Sequence, residues 1–174
     1  MDEVLFHERQ GFEKYLIVIV VLLSLLSWAL LLFVGYQQIC NGVVFGKCPS
    51  DLKTFSWAVF FVGVLTLAII GFVALSRVEL KITAHAIYYR FFPLQFRFRE
   101  LPWDEIEQIY LRPYRAFREF GGYGLRLTVK SGQAYIMSGF WGLQLETRKG
   151  RKILIGTQQR NRLRIVLQKL GKVQ

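Results

Sequence analysis

Histidine and cysteine are scarce in this chain of 174 residues, which contains two of each. His7 and His85 are far apart in the expected topology, so a histidine metal site or a catalytic triad is difficult to assemble. Cys40 and Cys48 lack the additional ligands that would complete a tetrahedral zinc shell. The sequence therefore predicts no metal site and no cofactor.

Recognisable catalytic motifs are also missing. The glycines of GGYG at 121–124 lead into a strand pattern, whereas phosphate-binding glycines open a helix. Ser138 lacks the flanking glycines of a nucleophile elbow. Asp104, Glu105 and Glu107 form an acidic group at the entry to a strand, a pattern typical of a solvated face. We therefore expect a non-enzymatic protein without a small-molecule substrate.

Charge is absent from two apolar runs, residues 15–36 and 55–75. About 20 apolar residues are enough for a helix to cross roughly 30 Å of hydrocarbon. The leader 1–14 contains four acidic and two basic residues, which argues against a cleaved signal peptide. We predict two transmembrane helices joined by loop 37–54. The absence of ionisable residues within them argues against a channel or a transporter.

Small side chains predict where the two helices pack as a hairpin, because they let helix backbones approach closely. The candidates are Gly63, Thr66 and Gly71 in the second helix, with Ser24, Ser27 and Gly35 in the first. Alternatively, these residues are present only because glycine and serine are common in membrane spans.

The net charge of +11 is unevenly distributed. Residues 1–76 contain four basic and five acidic residues, whereas residues 77–174 contain nineteen basic and seven acidic ones, a net +12. The positive-inside rule predicts that 77–174 is cytoplasmic. Two spans return the chain to the side on which it started, so the N-terminus of this multi-pass protein is expected to be cytoplasmic too. Loop 37–54 is then periplasmic or extracellular. Because such a compartment is oxidising, we expect a disulfide between Cys40 and Cys48, the alternative being two reduced thiols.

Period-two alternation and β-forming residues after the second run predict a series of short strands, at 78–83, 86–92, 95–100, 106–111, 125–130, 134–138, 143–147 and 152–155. A single helical turn is expected at 103–105. Within 95–100 the alternation predicts that Phe96 and Phe98 face inward. Apolar residues at helical spacing predict a helix over 158–170, with Thr157 as its N-cap. We expect domains at 1–76 and 77–174, the second a single small β-barrel closed by this helix.

The order of elements resembles bacterial pleckstrin-homology-like (PH-like) domain proteins with an N-terminal transmembrane hairpin. The resemblance is carried by PWDEIEQIYL, GGYGLR, SGFWGLQLE and GRKILIGTQ. It implies an α+β protein of the bacterial inner membrane, in which a two-helix transmembrane hairpin precedes a PH-like β-barrel capped by a C-terminal α-helix. It implies binding, and no catalytic residues are shared across the family.

Basic and aromatic residues of the second half supply the candidate binding site: Arg97, Arg99, Arg112, Arg115, Phe117 and Arg118. A basic residue near an anionic membrane contributes about 1 kcal/mol of attraction. Arg115, Phe117, Arg118 and Phe120 are arranged as in an interfacial loop, with charges on headgroups and rings at the acyl boundary. Alternatively, the phenylalanines belong to the core and the arginines only solvate the surface.

These features predict a non-catalytic, membrane-anchored binding or scaffold module on the cytoplasmic face. Its expected partners are membrane lipids, including anionic headgroups, and a protein. Nucleic acid is disfavoured, because no recognised binding motif is present and the chain is tethered to a membrane. The alternative is an accessory or assembly subunit of a larger membrane complex, in which the spans themselves form the interface.

Overall fold

The computed structural model of the chain describes residues 3–41, 52–128 and 131–172. Four helices and a 3₁₀ turn at Trp103–Glu105 occur in this part of the chain, the helices being α1 (Lys14–Cys40), α2 (Leu52–Leu75), α3 (Ala116–Phe120) and α4 (Arg160–Lys169). The strands are β1 (Val4–Gly11), β2 (Arg77–Thr83), β3 (Ala86–Phe92), β4 (Arg99–Pro102), β5 (Ile106–Pro113), β6 (Gly124–Thr128), β7 (Gly132–Ile136), β8 (Trp141–Thr147) and β9 (Lys152–Thr157). The chain divides into two compact units.

The unit Lys14–Ala74 contains α1 and α2, both long and apolar enough to cross a membrane. Two predicted small residues lie between the helices: a Cβ atom at Gly35 would overlap the Phe55 ring, and one at Gly63 would lie 3.4 Å from Trp28. A Cβ atom at Gly71 would meet nothing within 4 Å, so this glycine does not make the predicted close approach. Large aromatic rings therefore fill the spaces that Gly35 and Gly63 leave open.

The hydroxyl groups predicted to lie between the two helices bond within their own helices. The side chains of Ser24, Ser27 and Thr66 donate to the carbonyl oxygens four residues earlier, at 2.7–2.9 Å. This bond satisfies each hydroxyl without a partner from the other helix.

The other unit combines the residues up to Glu13 with those from Leu75 onward. Its strands form a four-stranded sheet, β1-β2-β3-β4, and a five-stranded sheet, β5-β8-β9-β7-β6. Paired strands are antiparallel except β7 and β9, which are parallel. The prediction of a single closed barrel is corrected, since the described strands form two separate sheets. The 3₁₀ turn after Pro102 interrupts the chain between β4 and β5, and β5 pairs with β8 instead.

The N-terminal tail is a strand, which the sequence analysis did not predict. β1 pairs with β2 along its length, from Val4↔Thr83 to Gly11↔Arg77. The apolar helices are therefore inserted between the first two strands of one domain, and the structure divides the chain differently from the expected boundary at residue 76. Two residues separate β1 from α1, and Ser76 alone separates α2 from β2.

The main core lies between the two sheets. It contains Phe6, Leu80 and Phe91 from one sheet, and Tyr135 and Leu145 from the other. The rings of Tyr89 and Tyr135 meet edge-to-face at 5.0 Å and link the two sheets. α4 buries Leu163 and Leu167 in the same cluster, as its helical spacing predicts.

The start of α4 differs from the prediction. Gln159 occupies the N-cap position and makes no side-chain capping bond. The hydroxyl of Thr157 accepts from the Gln159 backbone N–H at 3.1 Å and donates to the carboxylate of Glu8 in β1 at 2.7 Å. Thr157 therefore lies two residues before the N-cap position that it was predicted to occupy, and it connects β9 to β1.

Candidate binding surface

The structure separates the six predicted binding residues into two groups. Arg97 lies in the connector 93–98 between β3 and β4, and Arg99 begins β4. The other four lie at the end of β5 and around α3, namely Arg112, Arg115, Phe117 and Arg118. The first group lies at and before β4 of the four-stranded sheet, and the second follows from β5 of the five-stranded sheet.

The one-turn helix α3 is held by a small apolar cluster of its own. Tyr114, Ala116 and Phe120 are buried there against Ala134, Ile136 and Leu154 of β7 and β9. The hydroxyl of Tyr114 donates to the carbonyl of Ser138 at 3.1 Å, and burial raises the pKa of this hydroxyl. Gly121 ends the helix with a φ of 73°, a left-handed conformation that favours glycine. Phe120 is therefore a core residue, as the alternative interpretation of this segment proposes.

Arg112 links α3 to the neighbouring strand β8 through its hydrogen bonds. Its guanidinium donates to the carboxylate of Glu119 at 2.7 Å and to Oε1 of Gln144 at 3.1 Å. The second oxygen of Glu119 accepts the backbone N–H of Arg115 at 2.8 Å. Partial burial raises the pKa of Glu119, but these hydrogen bonds and the Arg112 charge outweigh it, and the net shift is downward. The guanidinium of Arg112 thus bonds within the domain, whereas the sequence analysis expected it to bind lipid or a partner.

The outer side of α3 exposes aromatic rings. Phe117 and Phe140 are 71% and 74% exposed, and the ring of Phe117 packs edge-to-face on Tyr123 at 5.4 Å. Together with Arg115 and Arg118 these rings line a groove of about 420 Å³. We call these five residues the α3 surface. Arg115, Phe117 and Arg118 therefore line the same groove.

Phe140 is the member of the α3 surface that the sequence analysis missed. It lies in SGFWGL between β7 and β8, directly after Gly139, whose φ is 84°. The sequence signal for its exposure was a large apolar residue directly after a turn glycine, because a residue outside a strand has no neighbouring strand to pack against. Its carbonyl accepts the N–H of Tyr114 at 2.9 Å, which positions it beside the start of α3.

The connector 93–98 reverses the predicted orientation of its side chains. Phe96 is 72% exposed and Leu94 is 60% exposed, whereas the polar Gln95 between them turns inward. The amide of Gln95 accepts the backbone N–H of Phe91 and donates to the hydroxyl of Tyr135, both at 3.3 Å. The prediction that Phe96 faces inward is wrong, because Gln95 takes the inward position through these bonds.

Cationic side chains surround this connector. Phe98 lies under Lys81 and Arg90, at 4.6 and 4.3 Å from the ring centroid, and Arg90 also donates to the carbonyl of Phe96 at 3.1 Å. Arg97 and Arg99 are both exposed. Burial raises the pKa of Tyr89, and the neighbouring Arg99 opposes that shift.

The cysteines and histidines lie outside the α3 surface and the connector 93–98. Cys40 is the last residue of α1, and its predicted disulfide partner Cys48 lies outside the described residues. In residues 3–41, 52–128 and 131–172, no three His, Cys, Asp or Glu side chains are grouped so that they can hold a metal ion. His7 and His85 are both exposed, one in β1 and one in the turn between β2 and β3.

Comparisons of this chain with protein-family models, with curated proteins and with solved structures found no match. Function is therefore inferred from the described residues themselves.

Proposed function

We propose that this protein is a non-catalytic, membrane-anchored, PH-like binding module on the cytoplasmic face of a bacterial inner membrane. The observation that carries the proposal is the insertion of two candidate membrane spans between the paired strands β1 and β2. Since β1 precedes α1 and β2 follows α2, the domain is tied to the hairpin at two points through very short connectors.

The pairing of β1 with β2 also supports the orientation. Strands that pair lie on one side of the membrane, so an even number of spans between them is required, and the chain has two candidates. The net charge of +12 after residue 76 favours the cytoplasmic side for this domain. Two facing sheets with a C-terminal helix packed on their shared core support the PH-like assignment.

The α3 surface is the proposed site for a protein partner. Exposed aromatic residues and arginines are the residue types enriched at protein interfaces. The backbone at Phe117 and Phe140 is held by the buried cluster beneath α3 and by the Tyr114–Phe140 backbone bond, so little backbone entropy is lost on binding. The basic charge of the domain favours an acidic partner.

The test is a mild-detergent purification of the tagged full-length protein, with mass spectrometry of the proteins that remain bound. We expect a stoichiometric acidic partner that is lost from the Phe117→Ser, Phe140→Ser double variant. Ile165→Ser provides the matched control, because Ile165 is a similarly exposed apolar residue on α4. Equal recovery of the partner by both variants would contradict the assignment of the α3 surface.

One observation favours the accessory-subunit alternative. Trp57, Phe60 and Phe61 form an exposed aromatic cluster on α2, with ring centroids 5.7–5.9 Å apart. In that case the spans form the interface with the larger complex. Replacing these three rings by leucine is then expected to release the partner, whereas the Phe117 and Phe140 substitutions leave it bound.

A further inference from the structure

The connector 93–98 is held by hydrogen bonds, yet it exposes apolar side chains. Gln95 fixes its backbone through the Phe91 N–H and the Tyr135 hydroxyl, and a further bond joins the Gln95 N–H to the Phe91 carbonyl at 2.7 Å. Leu94 and Phe96 on either side are directed outward. A soluble surface gains nothing from turning a half-buried amide inward while its two apolar neighbours stay exposed, so the arrangement indicates an apolar partner.

The position of the connector in the sheet identifies that partner. β3 ends at Phe92, which pairs with Arg77, the first residue of β2. Arg77 also pairs with Gly11, the last residue of β1. Therefore the connector leaves the sheet at the same end as the two chain segments that lead to α1 and α2.

Side-chain contacts tie the connector to this end of the sheet. The guanidinium of Arg77 lies 4.5 Å from the centroid of the Phe92 ring, and Phe92 packs edge-to-face on Phe96 at 5.6 Å. Phe96 is thus linked through Phe92 to Arg77, which lies only two positions after the end of α2.

Basic residues outnumber acidic ones at this end of the four-stranded sheet. Glu79 is buried and paired with Arg9, Arg77 and Arg90, at 3.8, 3.1 and 2.8 Å. Glu100 accepts a hydrogen bond from the hydroxyl of Tyr88 at 2.9 Å. The exposed Arg97 and Arg99 add further positive charge, which suits lipid phosphates.

We propose that the connector 93–98 is a membrane-interface loop: Leu94 and Phe96 enter the headgroup–acyl boundary of the bilayer that holds α1 and α2, and Arg97 binds anionic lipid phosphate. The inference rests on the proposed membrane anchoring and adds a third point of attachment for the domain. Apolar side chains flanked by basic ones are the composition that such interfacial segments use.

The experiment places a photoreactive benzoylphenylalanine at single positions of the full-length protein, reconstituted in phosphatidylcholine nanodiscs with or without phosphatidylglycerol. The test positions are Leu94 and Phe96, Ile165 is the exposed control on α4, and Leu26 reports on α1. Mass spectrometry identifies whether each probe has reacted with lipid. We expect lipid adducts at 26, 94 and 96 and background yield at 165.

The outcomes separate this inference from the proposed function. Lipid adducts at 26 with only background yield at 94 and 96 would overturn the loop assignment and leave the anchoring intact. Absence of lipid adducts at 26 would overturn the anchoring, and the loop assignment with it. If the same probes in native membranes react at 94 and 96 mainly with protein, the connector is a protein-docking loop and the proposal fails.

Arg97 is tested separately with the probe kept at Phe96. Arg97→Gln is expected to lower the ratio of phosphatidylglycerol to phosphatidylcholine adducts roughly fivefold, the effect of one basic residue at an anionic surface. Arg164→Gln, which removes an exposed charge from α4, is expected to leave the ratio unchanged. Equal ratios for both variants would overturn the role of Arg97.

Discussion

The hydroxyl of Thr157 donates a hydrogen bond to the carboxylate of Glu8 at 2.7 Å, across 149 positions of sequence. The other carboxylate oxygen accepts the backbone N–H of Gln158 at 2.8 Å. Glu8 is 3% exposed, so these two bonds replace the water that the carboxylate gives up on folding. The contact joins the segment that precedes the apolar helices to the last strand of the domain.

Replacing Glu8 by alanine is expected to destabilise the domain by about 2 kcal/mol, since the Thr157 hydroxyl and the Gln158 N–H lose their buried acceptor. Thermal unfolding of the full-length protein in detergent, followed by circular dichroism in the β-sheet region, measures the effect. His7→Ala, at an exposed neighbouring position of β1, is the control. Equal melting temperatures for the two variants would contradict a structural role for Glu8.

The ion pair between Arg112 and Glu119 predicts a pH dependence. The pKa of Glu119 is lower in the folded protein than its ordinary value of 4.5, so the charged form is favoured by folding. Its stabilisation is complete above the ordinary value and is lost as the pH falls through the folded pKa. Near neutral pH, Glu119→Gln is expected to cost about 1 kcal/mol.

The measurement compares melting temperatures of wild type and Glu119→Gln across the acidic range. The difference between the two proteins is expected to shrink as the pH falls below 4.5. Glu107→Gln, at an exposed position on β5, serves as the control for general charge effects. A difference that stays constant with pH would exclude the ion pair as its source.

Gly35 is expected to be the most sensitive small residue of the hairpin. Gly35→Ala places a methyl group against the Phe55 ring, and such overpacking costs roughly 1–3 kcal/mol. Gly71→Ala is the matched control, because the space around Gly71 is open. Thermal loss of the helical circular-dichroism signal in detergent compares them. Phe55→Leu is expected to restore stability to Gly35→Ala, and failure of this rescue would argue against the contact.

Gln95 is expected to hold the connector 93–98 in place. Gln95→Met keeps the length of the side chain but removes the acceptor for the Phe91 N–H and the donor to Tyr135. Hydrogen–deuterium exchange of the peptide covering 91–98 should accelerate several-fold, while Gln108→Met on the exposed face of β5 should have no such effect. Unchanged exchange in Gln95→Met would show that the connector is held by other contacts.

Local sequence patterns were sufficient where the contacts are local. The β-forming run at 86–92 coincides with β3, and the predicted turn at 103–105 coincides with the 3₁₀ turn Trp103–Glu105. The predicted strand at 95–100 was displaced, with β4 beginning at Arg99. Strict alternation suggested that Phe96 is inward, but hydrogen bonds to Phe91 and Tyr135 reverse that choice, and Tyr135 is 40 positions away from Gln95.

Only part of the α3 surface was predicted, because some of its contacts are local and others join distant segments. Arg115, Phe117 and Arg118 are close in sequence, and a single helical turn brings them together. Phe140 joins them only because Tyr114 bonds to its carbonyl oxygen. Arg112 looked equally available, but Glu119 and Gln144 engage it, and Gln144 comes from the neighbouring strand β8.

The sequence by itself determined the two apolar helices, the basic character of the second half and most strand positions, because hydropathy and β-propensity act over a few residues. Only the tertiary structure revealed β1, whose inward side chains are Phe6, Glu8 and Gln10. Two of these three are polar, so no apolar alternation marks the strand. Their burial is possible because Thr157 and Gln158 satisfy Glu8, and Gly156 accepts from Gln10 at 2.8 Å. Those partners lie almost 150 positions away, beyond the reach of any local pattern.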